Sequence, residues 1–174
     1  MTDDLVEQAS RKAMDAERQF WGCSQAVLGS LQETFHIGDN ESFRAGTILS
    51  AGVARRGETC GALIGALMAL GVACGRNQMS DREAYNKAMD HAQGVVDAFK
   101  AGIQARYNLP EPLQTTLCPD IQTRLYGRSF DFTDPAERKA FNDGGGHNPS
   151  GCPMVCAIAA EAAARKILDL RQNA

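Results

Sequence analysis

Apolar residues recur at intervals of three or four along most of the chain, which is the periodicity of helices that bury one face. The first segment shows this spacing at five apolar positions, Leu5, Ala9, Ala13, Ala16 and Phe20. Gly22 interrupts the pattern, and a second helix is predicted from Cys23 to Phe35. A third is predicted to be capped by Asn40 and to run to about Ala54.

The middle of the chain predicts two longer helices. Thr59 is a candidate cap for a helix that carries a strip of small residues, Gly61, Gly65, Ala69 and Ala73. Small residues at four-residue spacing allow another helix to approach closely. Ser80 and Glu83 have the spacing of a capping box, which predicts the start of a long helix that ends near Arg106.

Prolines mark the remaining helices. Short helices are predicted after Pro119 and from Pro135, because proline suits the first turn of a helix. The last helix is predicted from Pro153 to about Leu170, after a glycine-rich loop.

Sustained strand alternation is absent from the sequence, and only residues 130–133 have any strand character. The expected architecture is therefore all-α, a compact multi-helix bundle that forms a single helical domain over residues 1–174. Lys and Arg number 18 against 21 Asp and Glu, which gives a formal charge of −3. The sequence has no basic stripe of the kind that would indicate a nucleic-acid partner.

The apolar stretches predict where the protein resides and how it associates. The longest, Cys60 to Gly75, is shorter than the roughly 20 residues that a membrane-spanning helix needs. The acidic start, Met1 to Asp4, lacks the features of a secretory signal, so we expect a cytoplasmic protein without membrane association. The small-residue strip and the alanines between Ala157 and Ala164 offer an apolar face, from which we predict a homodimer.

Cysteine is the unusual part of the composition, with six residues. In a reducing compartment these are expected to be thiols or metal ligands rather than disulfides. Four stand at predicted helix starts: Cys23, Cys60, Cys118 and Cys152. Unpaired N–H groups favour an anion there, and the thiolate is the form of cysteine that binds metal or attacks. Burial of these cysteines as small apolar residues is the alternative reading.

The remaining two cysteines and one histidine lead to separate predictions. Cys74 is 14 residues beyond Cys60 on the same predicted helix, roughly 21 Å along its axis, so it is expected in the core and outside any shared site. Cys156 follows Cys152 by one helical turn and either joins a site or packs beneath it. His147, on the glycine-rich loop, could reach a metal.

The sequence around four of the cysteines has a recognisable form. Residues 22–28 are Gly-Cys-Ser-Gln-Ala-Val-Leu, and residues 56–62 are Arg-Gly-Glu-Thr-Cys-Gly-Ala. Cys118, with Leu-Tyr-Gly downstream, and Cys152, directly before a proline, complete the set. Together these segments resemble the C_GCAxxG_C_C family of redox-active proteins, and the likeness extends over about residues 5–170.

This resemblance implies redox chemistry on the cysteines and, through similar segments in split-Soret cytochromes, an iron–sulfur cluster. Four thiolates suit a [2Fe–2S] or a [4Fe–4S] cluster, and the implied ligands are Cys23, Cys60, Cys118 and Cys152. The corresponding function is electron transfer with a separate redox partner. No Cys-x-x-Cys-His run is present, so covalently attached haem is not expected.

Two other interpretations stay open. A metal-free dithiol–disulfide oxidoreductase would use one acidic thiolate to attack and a second thiol to resolve. Cys60 is the candidate attacking, catalytic residue because Arg55 and Arg56 precede it and because it stands at a helix start. A structural helical module could instead bind zinc through the same four thiolates.

Overall fold

Eight α-helices follow one another over residues 2–173, the part of the chain that the computed structural model describes. A short 3₁₀ helix, Gly46–Leu49, lies between the third and the fourth. The helices are α1 (Thr2–Phe20), α2 (Cys23–Phe35), α3 (Asn40–Ala45), α4 (Gly61–Cys74), α5 (Arg82–Arg106), α6 (Cys118–Tyr126), α7 (Pro135–Asp143) and α8 (Cys152–Gln172). Between residues 2 and 173 the only β contact is one bridge between Thr59 and Leu117, so the predicted all-α class is confirmed. Met1, with which the predicted acidic start begins, lies outside the described residues.

The last helix, α8, forms the centre of the bundle and packs against α1, α2, α4 and α5. Its alanines between Ala157 and Ala164 are all buried, and their small side chains allow these helices to lie close together. The α1 helix runs antiparallel to α8, because Arg165 pairs with Asp3 at one end and Ser10 donates a hydrogen bond to Glu161 further along. The alanine-rich face of α8 is therefore buried by other helices of the same chain.

The small-residue strip of α4 is also used within the chain. Gly61, Gly65 and Ala69 are buried, and a Cβ atom at Gly65 would lie 2.2 Å from the carbonyl oxygen of Ser24. The start of α2 and the middle of α4 thus meet backbone to backbone. The homodimer stays a prediction. The alanine-rich face of α8 and three of the four residues of the α4 strip are covered by other parts of the same chain, whereas Ala73 is exposed. Within residues 2–173, no helix combines the length and the apolar content needed to cross a membrane.

The predicted third helix is wrong in its extent. The α3 helix ends at Ala45, and after the 3₁₀ helix five consecutive residues, 51–55, adopt left-handed backbone conformations with φ between 51° and 67°. Three predicted caps are displaced by one position: Asp39 rather than Asn40 caps α3, Cys60 rather than Thr59 precedes α4, and Asp81 rather than Ser80 caps α5. The predicted bounds of α2 and the predicted end of α5 are confirmed.

Candidate functional site

The first turns of α2, α4, α6 and α8 surround one cavity of about 420 Å³. Each contributes one cysteine to the cavity wall: Cys23, Cys60, Cys118 and Cys152. Cys60 and Cys118 are buried, whereas Cys23 and Cys152 retain partial exposure. The four cysteines predicted from helix starts therefore come together, although they belong to four separate chain segments.

A short backbone ladder holds Cys60 beside Cys118. The N–H of Cys60 donates to the carbonyl of Thr116 over 2.8 Å, and the N–H of Cys118 donates to the carbonyl of Glu58 over 2.9 Å. This reciprocal pair flanks the bridge between Thr59 and Leu117. Two segments almost sixty residues apart in the sequence thereby place their cysteines together.

The left-handed turn over residues 51–55 packs against this ladder. The N–H of Glu58 donates to the carbonyl of Gly52 over 2.9 Å, and a Cβ atom at Gly52 would lie 2.9 Å from Cβ of Cys118. Val53 adopts φ of 55°, a conformation that is costly for a β-branched residue. Such strain persists only where the surrounding structure enforces it, and it often lies next to functional sites.

Cys23 and Cys152 are positioned by neighbours that differ in kind. A Cβ atom at Gly61 would lie 2.5 Å from Sγ of Cys23, so only glycine leaves room for that sulfur. The N–H of Cys152 donates to the hydroxyl of Tyr126 over 2.9 Å, and this hydroxyl lies 3.5 Å from Sγ of Cys152. Tyr126 had been assigned no role from the sequence, although it follows Cys118 by two helical turns.

Gln122 is a further residue at the site that sequence reasoning missed. It is buried on α6, where its Nε2 atom donates to Sγ of Cys118 over 3.5 Å. Its Oε1 atom accepts a hydrogen bond from the N–H of Phe130 over 2.8 Å. The signal in the sequence was its spacing of four from Cys118, which places both residues on one face of the helix.

Enclosure by the protein raises the pKa of every cysteine that lines the cavity. For Cys60, loss of contact with water raises the pKa, and the N–H groups of Ala62 and Leu63 oppose this rise. Neither group caps α4 with a full hydrogen bond to the side chain. The prediction of an unusually acidic thiol at Cys60 is therefore wrong, because burial outweighs the helix start.

The cysteines also act on one another. Burial is the main reason that the pKa of Cys118 is raised, and the charges of Cys60, Cys152 and Cys23 add to it. The pKa of Cys156, one turn along α8, is raised by burial and then by Glu17, Cys23, Cys152 and Cys60. The thiols are therefore neutral near pH 7, and ionising several of them together requires a compensating cation.

The other two cysteines, Cys156 and Cys74, lie outside the cavity wall. Cys156 is fully buried, with its Sγ 3.9 Å from the carbonyl oxygen of Cys23. It lies beside the cavity residues without lining the cavity itself. Cys74 is at the opposite end of α4 from Cys60 and packs partly buried against the core, as predicted.

A buried carboxyl group and an imidazole complete the cavity wall. Glu17 of α1 is 3% exposed, and its Oε1 atom lies 3.2 Å from Nδ1 of His147. The ring of His147 stacks on Trp21, with 4.9 Å between ring centroids. Phe20, predicted on the buried face of α1, is instead 74% exposed. The buried face continues from Ala13 to Glu17, a spacing of four that could have identified the carboxyl group.

Within the described range, no three or more His, Cys, Asp or Glu side chains are spaced to hold a single metal ion. All six cysteines are free thiols. A tetrahedral zinc site, which needs four ligand atoms within about 2.3 Å of one ion, is not preformed among the described residues.

Comparison with known proteins gives one result. A family model described as "Putative redox-active protein (C_GCAxxG_C_C)" matches residues 21–166, which include all four cavity cysteines. No curated protein and no solved structure matches the chain.

Proposed function

The chain belongs to the C_GCAxxG_C_C family of redox-active proteins, and from this premise we propose that its four cavity thiols are the redox centre and bind an iron–sulfur cluster. The proposed ligands are Cys23, Cys60, Cys118 and Cys152. When bound, such a cluster supplies one-electron transfer. The protein would then exchange electrons with a separate redox partner.

The observation that carries this proposal is the meeting of four helix-start cysteines at one cavity. Four free thiols are the number that [2Fe–2S] and [4Fe–4S] clusters take. The cavity, at about 420 Å³, has the size of a small-ligand site. Four N-terminal helix ends place partial positive charge around it, which favours a negatively charged occupant.

Each cavity sulfur also lies near an N–H or O–H group. The N–H of Ala51 acts on Cys23, and helix-start N–H groups act on Cys60. Gln122 donates to Cys118, and the Tyr126 hydroxyl lies against Cys152. Donors to ligand sulfur are among the means by which proteins set the potential of such centres. This arrangement supports a tuned site rather than four cysteines that merely fill a core.

The raised thiol pKa values bear on the dithiol alternative. A dithiol enzyme needs an attacking thiol that is ionised near neutral pH. Burial raises the pKa of Cys60, the candidate attacker, and also raises that of Cys152. Metal binding displaces the protons of thiols even when their pKa is high, and the affinity for the metal then decreases as the pH falls. The electrostatics therefore favour a metal-containing centre.

The test is anaerobic purification and reconstitution, followed by iron and acid-labile sulfide analysis of the wild type, Cys60→Ser and Cys74→Ser. The two variants make the same change at opposite ends of α4. We expect Cys60→Ser to lose most of its iron and sulfide, because a serine oxygen is a harder ligand than thiolate sulfur. Cys74→Ser should retain the wild-type content. Circular dichroism should show the same helical signal in all three.

Three outcomes would contradict the proposal. One is wild-type protein that stays free of iron and sulfide after anaerobic reconstitution. Another is Cys60→Ser with the full wild-type iron content. The third is stoichiometric zinc without sulfide, which would instead support the structural zinc module. Thiol titration before and after reduction would identify a dithiol centre in metal-free protein.

A further inference from the structure

We propose that Glu17 and His147 form a proton-transfer pair that carries a proton between solvent and the cavity when the cysteine site gains or loses an electron. This inference rests on the proposed redox function. The cluster proposal gives neither residue a role, and both lie in the cavity wall. They come from α1 and from the loop between α7 and α8.

The carboxyl group of Glu17 is bound on one side only. Its Oε2 atom is buried and has no hydrogen-bond partner. A buried polar atom without a partner lowers the stability of the fold, and such exceptions in a folded protein call for an explanation. Glu17 lines the cavity, so a proton taken up by its carboxyl group neutralises a negative charge in the cavity wall.

His147 joins this carboxyl group to solvent. Its Nδ1 atom is within ion-pair distance of Oε1, although the two are not aligned as a hydrogen bond. Its side chain retains 19% exposure. The ring lies between Trp21, which stacks on it, and Phe141, which meets it edge-on at 5.1 Å. Trp21 adopts φ of 64°, a strained backbone conformation for a bulky residue. This conformation places the indole ring on which the imidazole stacks.

Several charged or titratable groups surround Glu17. Besides His147, they are Cys23 of α2, Cys60 at the start of α4, Cys152 and Cys156 of α8, Arg55 of the turn after the 3₁₀ helix, and Arg138 of α7. A negative charge on Glu17 raises the pKa of each of these four cysteines. The effect is reciprocal, so negative charge added to the cysteine site favours the protonated form of Glu17.

The proton and electron balance is simple. A one-electron donor reduces the cysteine site, whose charge becomes more negative by one. Nε2 of the His147 imidazole takes a proton from hydronium while the Nδ1–H bond breaks, and the proton released from Nδ1 forms an O–H bond on Glu17. Hydronium becomes water, and the imidazole stays neutral with its proton moved from Nδ1 to Nε2. One proton therefore enters for each electron, and oxidation reverses every step.

The experiment is a dye-mediated potentiometric titration of reconstituted protein at several pH values. A tenfold change in proton concentration should shift the wild-type midpoint potential by up to about 59 mV, the value for one proton per electron. Glu17→Gln keeps the size of the side chain but cannot take up the proton, so its potential should be independent of pH. Glu161→Gln is the matched control, because Glu161 binds Ser10 and Arg106 outside the cavity.

A second variant separates the conductor from the acceptor. His147→Phe keeps a ring to stack on Trp21 but cannot carry a proton. We expect it to retain a pH-dependent potential and to be reduced by dithionite at least tenfold more slowly. This variant provides the test if Glu17→Gln fails to fold or to bind iron. A wild-type reduction rate in His147→Phe would overturn the relay.

The result separates failure of the relay from failure of the proposed function. Wild-type protein that holds iron but has a pH-independent potential would overturn the relay and leave the cluster proposal intact. The same conclusion follows if Glu17→Gln holds iron and keeps the wild-type pH dependence. Wild-type protein without iron would overturn the proposed function itself.

Discussion

At Gly65 the distance between two helices is set by a single missing side chain. A Cβ atom there would lie 2.2 Å from the carbonyl oxygen of Ser24 and 3.0 Å from its carbonyl carbon. Both are backbone atoms, which cannot move aside as the end of a flexible side chain can. Because Ser24 directly follows Cys23, the position of Gly65 also fixes one wall of the cysteine cavity.

We therefore expect Gly65→Ala to lower the free energy of unfolding by about 1–3 kcal/mol, the usual range for overpacking. The control is Gly71→Ala on the same helix, where an added Cβ meets nothing within 4 Å. Relief of the glycine penalty should stabilise that variant by about 0.5–1 kcal/mol. Urea unfolding measures both, and equal stabilities would show that α2 and α4 are further apart than described.

Single residues also show why only part of the site could be predicted. The location of Cys60 at a helix start follows from a local pattern, so its place at the site was predictable. Its acidity depends on how much water reaches the sulfur, which a sequence does not state. Glu17 was missed for the same reason, because a carboxylate on an amphipathic helix is normally solvent-exposed.

Among the helices, α5 provides a test of which residue caps its start. The sequence pattern favours Ser80, whereas in the structure the carboxylate of Asp81 accepts a hydrogen bond from the N–H of Ala84 over 2.9 Å. We expect Asp81→Ala to cost about 1 kcal/mol of stability and Ser80→Ala to change little. Thermal unfolding of both variants measures the difference. The reverse order would restore Ser80 as the cap.

Helices were predictable where a local pattern both starts and ends them. The α2 helix lies between Gly22 and the left-handed residue His36, and its predicted bounds are confirmed. The third helix was predicted too long because residues 51–55 turn left-handed although only one of them is glycine. Their conformation is enforced by contacts with Glu58, just beyond the turn, and with Cys118, which is far along the chain.

For the whole molecule, the buried thiols predict a stability that falls in alkali. The cysteines concerned have raised pKa values in the folded protein: Cys23, Cys60, Cys118, Cys152 and Cys156. In the unfolded chain they ionise near the ordinary value of 9.0. Above that pH the unfolded state binds fewer protons than the folded state, so the free energy of unfolding decreases as pH rises.

We expect metal-free, reduced protein to lose up to about 1.4 kcal/mol per pH unit for each such thiol above about pH 9. Cys118→Ala should reduce this slope by the share of one thiol. Above about pH 10, Tyr107 and Tyr126 add to the loss, because burial raises the pKa of both hydroxyls. Chemical unfolding across this range is the measurement. A stability independent of pH would mean that the thiols contact water.

The bundle as a whole could be predicted as a class but not as an arrangement. Helical periodicity and the lack of strand alternation are properties of the sequence, and they led to the correct all-α class. Which helices touch was not encoded locally. The small-residue faces predicted close packing, and the structure shows that the strip of α4 packs against α2 and α8 of the same chain.

The stack of Trp21 on His147 has an optical consequence. Trp21 is the only tryptophan in the chain, so all of the tryptophan fluorescence comes from a single indole. That indole lies against the cavity wall and is 56% exposed to solvent. Protonated imidazoles and absorbing metal centres quench indole emission at short range. An absorbing metal centre bound in the cavity would therefore dim the emission of Trp21, which would report cavity occupancy without any attached dye.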